Sequence, residues 1–119
     1  MQVATLLDDV DETELVRMIE REQLFVAEQD GAVVGSAGWW RGALRHCYVE
    51  PAQGRQGIGS RLVHQAESDF AARSKASDIT LSAVVYAIEF FRSNGYDVVS
   101  RSTAWDGSDV VAMRKRITR

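Results

Sequence analysis

Cysteine occurs once in the 119 residues, at Cys47, and proline once, at Pro51. A lone thiol closes no internal disulfide, so a reducing compartment and a cytoplasmic protein are expected. One proline and nine glycines leave no room for a long flexible linker. Long apolar runs are missing as well. None approaches the roughly 20 residues that span a bilayer, so no membrane partner is expected. The opening MQVATLLDDVDE lacks a basic segment followed by an apolar one and does not read as a signal peptide. Nor is there an excess of positive charge: 14 Lys+Arg against 17 Asp+Glu give a net charge of −3. That balance argues against a nucleic-acid partner held by phosphate neutralisation. The basic tail, Arg114 to Arg119, reads as a solvated strand end. His46, Cys47 and His64 lack metal-ligand spacing, so no metal is expected. There is no internal repeat and no low-complexity stretch.

What is present suits one soluble globular domain over residues 1–119, with 45% hydrophobic and 26% charged residues. MQVATLL suggests a short first strand. DVDETELVRMIERE suggests a helix with Asp11 at its cap and with Leu15, Met18, Ile19 and Glu22 on one face. LFVAEQ and AVVGSAGWW read as strands joined by an Asp30–Gly31 hairpin turn. ALRHCYVE follows a second turn at Arg41–Gly42. From Ile58 the apolar period lengthens, with Ile58, Leu62, Ala66 and Phe70 four apart, which predicts a helix to about Ala72. On that helix His64 shares a face with Arg61, Glu67 and Ser68 and is expected to be solvated. DITLSAV reads as a buried strand and AIEFFRSN as a short helix stopped by Gly95. YDVVSRSTAW and SDVVAMRKRI close the chain as a hairpin about Asp106–Gly107. The expected fold class is α/β (α+β), with one mixed, mostly antiparallel sheet flanked by helices.

Between the third strand and its helix lies GRQGIGS. A helix start leaves backbone N–H groups without partners and carries partial positive charge. Glycines allow an anion close to that backbone. Arg55 adds a formal charge and the Ser60 hydroxyl a further donor, so the turn suits a pyrophosphate. It is no P-loop, because G-x-x-x-x-G-K-[ST] is absent. It is no Rossmann fingerprint, because Leu62 stands where a third glycine belongs. A bare structural turn is the alternative.

The wider stretch YVEPAQGRQGIGSRL resembles the coenzyme-A signature of the GNAT N-acetyltransferase superfamily, roughly V-x-P-x-x-[QR]-x-x-G-x-[GA]-x-x-L. Val49, Pro51, Gly57, Ile58, Gly59 and Leu62 fall in place. AIEFFRSNGY is similar to the family's A-x-x-F-Y-x-x-x-G-[FY] segment, through Ala87, Phe90, Gly95 and Tyr96. The likeness runs from about Leu24 to the C-terminus. It implies a sheet splayed beside the signature strand. The pantetheine arm of acetyl-CoA would pair with Tyr48 and Val49. The pyrophosphate would rest on Gly54, Arg55, Gln56, Gly57, Ile58, Gly59 and Ser60. It also implies direct acetyl transfer to a primary amine, of a small molecule or a protein, with the Val49 N–H available to an oxyanion.

The chain departs from the family pattern at three places. Gly54 occupies the usual Gln or Arg position. Phe91 replaces the tyrosine that donates a proton to the leaving thiolate, which leaves Tyr86 as the catalytic candidate, with Tyr96 and Tyr48 behind it. Ala43, Leu44 and Arg45 stand where some members carry a catalytic glutamate. A water-mediated base is then the default, with Glu50, Glu28 and His46 as side-chain candidates, each with a bland reading as a solvated or satisfied strand residue. Cys47 reads as a buried structural thiol. The short segment before Leu24 leaves the acceptor side open or completed by a second copy in a homodimer. Of Trp39 and Trp40, one faces the core and the other outward, toward an acceptor or a dimer partner. A non-catalytic acyl-CoA-binding sensor or regulatory module is the alternative function.

Overall fold

A computed structural model describes residues 12–50 and 57–119. The MQVATLL strand, the Asp11 cap, Pro51, Gly54, Arg55 and Gln56 lie outside the described residues. In order come α1 (Glu12–Glu20), β1 (Leu24–Gln29), β2 (Ala32–Trp40), β3 (Ala43–Val49), α2 (Ile58–Arg73), β4 (Asp78–Val84), a 3-10 turn (Val85–Ala87), α3 (Ile88–Ser93), β5 (Asp97–Thr103) and β6 (Asp109–Arg116). Six strands form one sheet in the order β1-β2-β3-β4-β6-β5. All neighbours run antiparallel except β3 and β4.

Both tight hairpins follow from their turn residues. Asp30 and Gly31 have φ of 52° and 81°, and Arg41 and Gly42 have 50° and 81°. Positive φ at both centre positions matches the right-handed twist of the flanking strands. The last hairpin is wider than the Asp106–Gly107 signal implies. Its ladder ends at Thr103↔Asp109, and Ala104 to Ser108 form the loop. The Asp106 carboxylate accepts from the Ser108 hydroxyl and backbone N–H, which hold its pKa down. Gly95, φ 95°, ends α3 as expected: its N–H bonds to Arg92 O, and that of Tyr96 to Phe91 O.

α1 and α2 take opposite faces of the sheet. α1 buries Met18 against Gly38, where a Cβ would stand 2.7 Å from Met18 Cε and 2.5 Å from Gln23 O. Ile19, expected on the same face, is half exposed, and Met18 is the residue that α1 buries. On the other side a Cβ at Gly35 would lie 3.0 Å from Leu62 Cδ1, so α2 sits close on β2. Its Leu62, Val63, Ala66 and Phe70 join Ala37, Trp39, Leu44, Cys47 and Val49 in the core. Trp39 is the inward tryptophan: its Nε1 donates to Asp69 of α2 at 2.8 Å and its ring meets Phe70 edge-on. Trp40 faces outward, with the guanidiniums of Arg21 and Arg41 5.6 and 5.8 Å from its ring centre.

Two polar clasps escape the sequence pattern. Arg73, in the last turn of α2, donates to the carbonyls of Arg21 and Glu22 just past α1, and pairs with Asp69. Glu67 was expected on the solvated face of α2 beside His64. His64 is exposed, but Glu67 is buried. One Glu67 oxygen accepts from Tyr96 Oη at 2.7 Å and the other from Lys115 Nζ at 2.9 Å. Burial and the carboxylate beside it push the Tyr96 phenol far up, so it remains a donor. The basic tail is likewise less solvated than its composition implies. Lys115 is half-buried, and Arg119 donates to Ala71, Ser74 and Ala76 carbonyls at the C-terminal end of α2.

Glu67→Ala leaves Lys115 and Tyr96 without their acceptor and is expected to cost about 3 kcal/mol in urea unfolding at pH 7. Glu67→Gln, which keeps an acceptor for Tyr96, should cost less. A loss under about 1 kcal/mol for the alanine variant, the range of an exposed ion pair, would show that the cluster is not structural.

Candidate active site

β3 and β4 are registered at one pair only, Ala43↔Thr80. The Gly42 carbonyl adds bonds from the Thr80 N–H and hydroxyl. Beyond that point the two parallel strands part, and the C-terminal half of β3 has a ladder only with β2. Glu50 N–H bonds to Val34 O on β2. By strand alternation the Val49 N–H points to the other edge, into the gap. The structure thus brings Tyr48 and Val49 to a backbone edge that an extended ligand arm can pair with.

The parting has a local cause. Across β2 the register passes from Ser36↔Tyr48 to Gly38↔Arg45, so β3 carries an extra residue. His46 takes φ 56°, in the left-handed region, and the Ser36 hydroxyl bonds its carbonyl at 2.6 Å. A bulge twists its strand and re-aims side chains. Here it places both Arg45 and His46 against Glu14 of α1, while Leu44, Cys47 and Val49 stay in the core. Cys47 is buried, and its thiol is pushed far up by burial and by Glu67. It is a structural thiol, as expected.

The first turn of α2 ends at the gap. Gly57 is its N-cap, with φ 76° and no side-chain cap, and Arg61 N–H bonds its carbonyl. A Cβ at Gly57 would meet nothing within 4 Å among the described residues, so this glycine serves the left-handed backbone at the helix start. Gly59 has a packing role beside the one its motif position suggests. A Cβ there would lie 3.1 Å from the Phe90 ring and 3.3 Å from Val49 Cγ2. It is a packing glycine that lets α2, β3 and α3 converge. The Ser60 hydroxyl accepts from Asn94 Nδ2 at 3.3 Å, which leaves its own hydrogen for another acceptor. Asn94 is buried, also bonds Phe90 O, and was not singled out by sequence.

The acid and base candidates separate by position. Phe91 is buried, edge-on to Phe90 and Tyr96 with ring centres 5.1 and 5.8 Å away. Tyr96 is buried on Glu67, which removes it as a candidate acid. Tyr86 is 68% exposed in the 3-10 turn that follows β4, on the far bank of the gap from β3. Glu50 is exposed at the end of β3, and Tyr48 Oη donates to its Oε2 at 3.0 Å. That bond raises the Tyr48 pKa and keeps the phenol protonated. Trp40 pairs with Ala43, at the opposite end of β3 from Val49. Glu28 is on β1, two strands from the gap.

This architecture has close counterparts. A GCN5-related N-acetyltransferase from Rhodopseudomonas palustris superposes with TM-score 0.75 at 27% identity, over 89% of this chain and 68% of that one. A ribosomal-protein-alanine N-acetyltransferase from Brucella melitensis gives 0.71 at 21%, over 90% and 79%. The PaiA N-acetyltransferase from Thermoplasma acidophilum, solved with coenzyme A, gives 0.68 at 20%, over 87% and 67%. No curated protein matches the sequence. The acetyltransferase (GNAT) domain model matches residues 1–117, and with it the splayed sheet, the strand edge at Val49 and the glycine-led helix find their common explanation: the chain belongs to the GNAT acetyltransferase family.

Proposed function

We propose that residues 1–119 form one acetyltransferase domain that moves an acetyl group from acetyl-CoA directly to a primary amine. The observation that carries this reading is the single-pair junction of β3 and β4, with the glycine-capped start of α2 at the opening. The fit to the cofactor is favourable: a strand edge without a ladder partner among the described residues for amide groups, and N–H donors at a glycine-capped helix start. Tyr48 and Val49 would hold the arm through their backbone. Gly57, Ile58, Gly59 and Ser60, together with Gly54, Arg55 and Gln56 before them in sequence, would hold the phosphates. The cofactor supplies an activated acetyl thioester.

The chain's own groups do the rest. Val49 N–H donates to an oxygen held in the gap. Glu50, steadied by Tyr48, is one candidate to take a proton from an incoming amine through water. Tyr86, across the gap, can return a proton to a departing sulfur. The α1 face, bounded by Glu14, Tyr48 and Glu50, is the approach for the acceptor, because α2 occupies the cofactor's side.

Calorimetric titration with acetyl-CoA, beside adenosine 3′,5′-bisphosphate as a fragment control, tests the cofactor site. A screen of primary amines with thiol detection tests transfer. Tight binding with thiol release is expected. Tight binding without release for any amine would favour the binding-module alternative, and no binding would end the reading.

Two variants refine it. Gly57→Val forces a β-branched residue into the left-handed region, at about 1–2 kcal/mol of stability. It should weaken acetyl-CoA binding by about tenfold or more while unfolding stays cooperative; an unchanged Kd contradicts the role of this glycine. General acids contribute ~10²–10⁴ in rate, and a thiolate leaves readily, so Tyr86→Phe should lower kcat by about tenfold without weakening the cofactor. A wild-type kcat would remove Tyr86 from the site.

A further inference from the structure

The β3 bulge gathers a second set of proton-handling groups that the reading above does not use. Glu14 Oε1 of α1 is 3.1 Å from Arg45 Nε and 3.9 Å from His46 Nε2. Arg45 Nε also donates to Trp40 O, which fixes the guanidinium beside the carboxylate. The His46 side chain is 11% exposed, and its Nε2 is enclosed without a hydrogen-bond partner. A left-handed backbone at a non-glycine residue is strained by about 1–2 kcal/mol. Such strain concentrates at functional sites. The Ser36 hydroxyl, bonded to the His46 carbonyl, holds the bulge in place. Among the described residues, the charged groups facing His46 are Glu14 from α1 and Arg45 from β3; β2 contributes Ser36, and His64 of α2 is exposed on the other face. Burial lowers the His46 pKa from its usual 6.5, Glu14 opposes this and Arg45 reinforces it. The imidazole is therefore neutral at pH 7 and able to accept a proton.

We propose that Glu14 and His46 form a carboxylate–imidazole pair that takes the proton of the acceptor amine on the α1 face of the sheet. The assignment rests on the transferase reading. Nε2 is turned toward Glu14, and a hydrogen bond between them, once closed, would select the tautomer with Nδ1 as the base. An N–H bond of the amine breaks, directly or through one water, and an Nδ1–H bond forms. The imidazolium is stabilised by Glu14 and afterwards returns its proton to solvent. Glu14 is a positioning residue, held toward the bulge by Arg45. An apo separation of 3.9 Å is longer than a hydrogen bond, and such contacts tighten when substrate binds.

The test uses the full chain and two readouts. First, the ring signals of its two histidines are followed by NMR against pH, with His64→Gln for assignment. His46 should titrate below 6.5, and Glu14→Gln should move its midpoint to lower pH, because a raising charge is removed. Second, kcat/KM for thiol release is measured against pH with an amine found in the screen. The limb set by the amine's own ionisation is common to all variants. His46→Asn, chosen because asparagine tolerates the left-handed conformation, should lose about a hundredfold at pH 7 and lose the acid limb, with acetyl-CoA binding intact. Glu14→Gln should shift that limb to lower pH. A His46 midpoint unmoved by Glu14→Gln, or an acid limb retained in His46→Asn and lost in Glu50→Gln, overturns the pair and leaves the transferase reading standing. A wild-type chain that binds acetyl-CoA and releases no thiol with any amine overturns both.

Discussion

The sheet is a single sheet by one pair of residues. Ala43↔Thr80 is the register point between β3 and β4, and the other strand junctions carry full ladders. A parallel ladder cut this short leaves the C-terminal half of β3 without a ladder partner on that side among the described residues, and backbone polar groups there call for one. The cofactor role proposed for the gap rests on that constraint. So does the work left to the rest of the fold, which must hold two half-sheets together without using their strands.

α2 is the element that does this. It sits on β2 closely enough that Gly35 admits no side chain, and Gly59 lets it meet β3 and α3 at one point. Trp39 to Asp69 ties it to the first half-sheet, and Glu67 to Lys115 and Tyr96 ties it to the second. The buried carboxylate is therefore placed where a purely apolar helix face could not reach two separate strands. Ser60 and Asn94 close the same arrangement at the mouth of the gap. The glycines around GRQGIG thus divide their labour: Gly57 shapes the turn and Gly59 lets three elements converge.

Much of this was legible in the residues. Asp30–Gly31 and Arg41–Gly42 announced their hairpins, Gly95 its helix stop, and the shift of apolar period at Ile58 the start of α2. These signals are local and depend on backbone preference. What stayed hidden depends on neighbours distant in the chain. Glu67 fell on the polar side of a helical projection, and only the return of β6 and the position of Tyr96 bury it. The bulge is written in β3 as an odd spacing, with core residues at Leu44, Cys47 and Val49 rather than every second position, yet three residues in seven cannot distinguish a bulge from an irregular strand. His46 consequently looked like an ordinary strand histidine. Phe91 stands where the resemblance implies a tyrosine, and its burial between Phe90 and Tyr96 shows a ring that completes the core.

The central claim is that coenzyme A enters the sheet through the gap and pairs with the free edge of β3. The most direct measurement follows the backbone amides by NMR during titration with coenzyme A. The account predicts the largest changes at Val49 and at Gly57 to Ser60, together with slowed hydrogen exchange of the Val49 amide. Saturable binding that leaves Val49 and the first turn of α2 unmoved would contradict it.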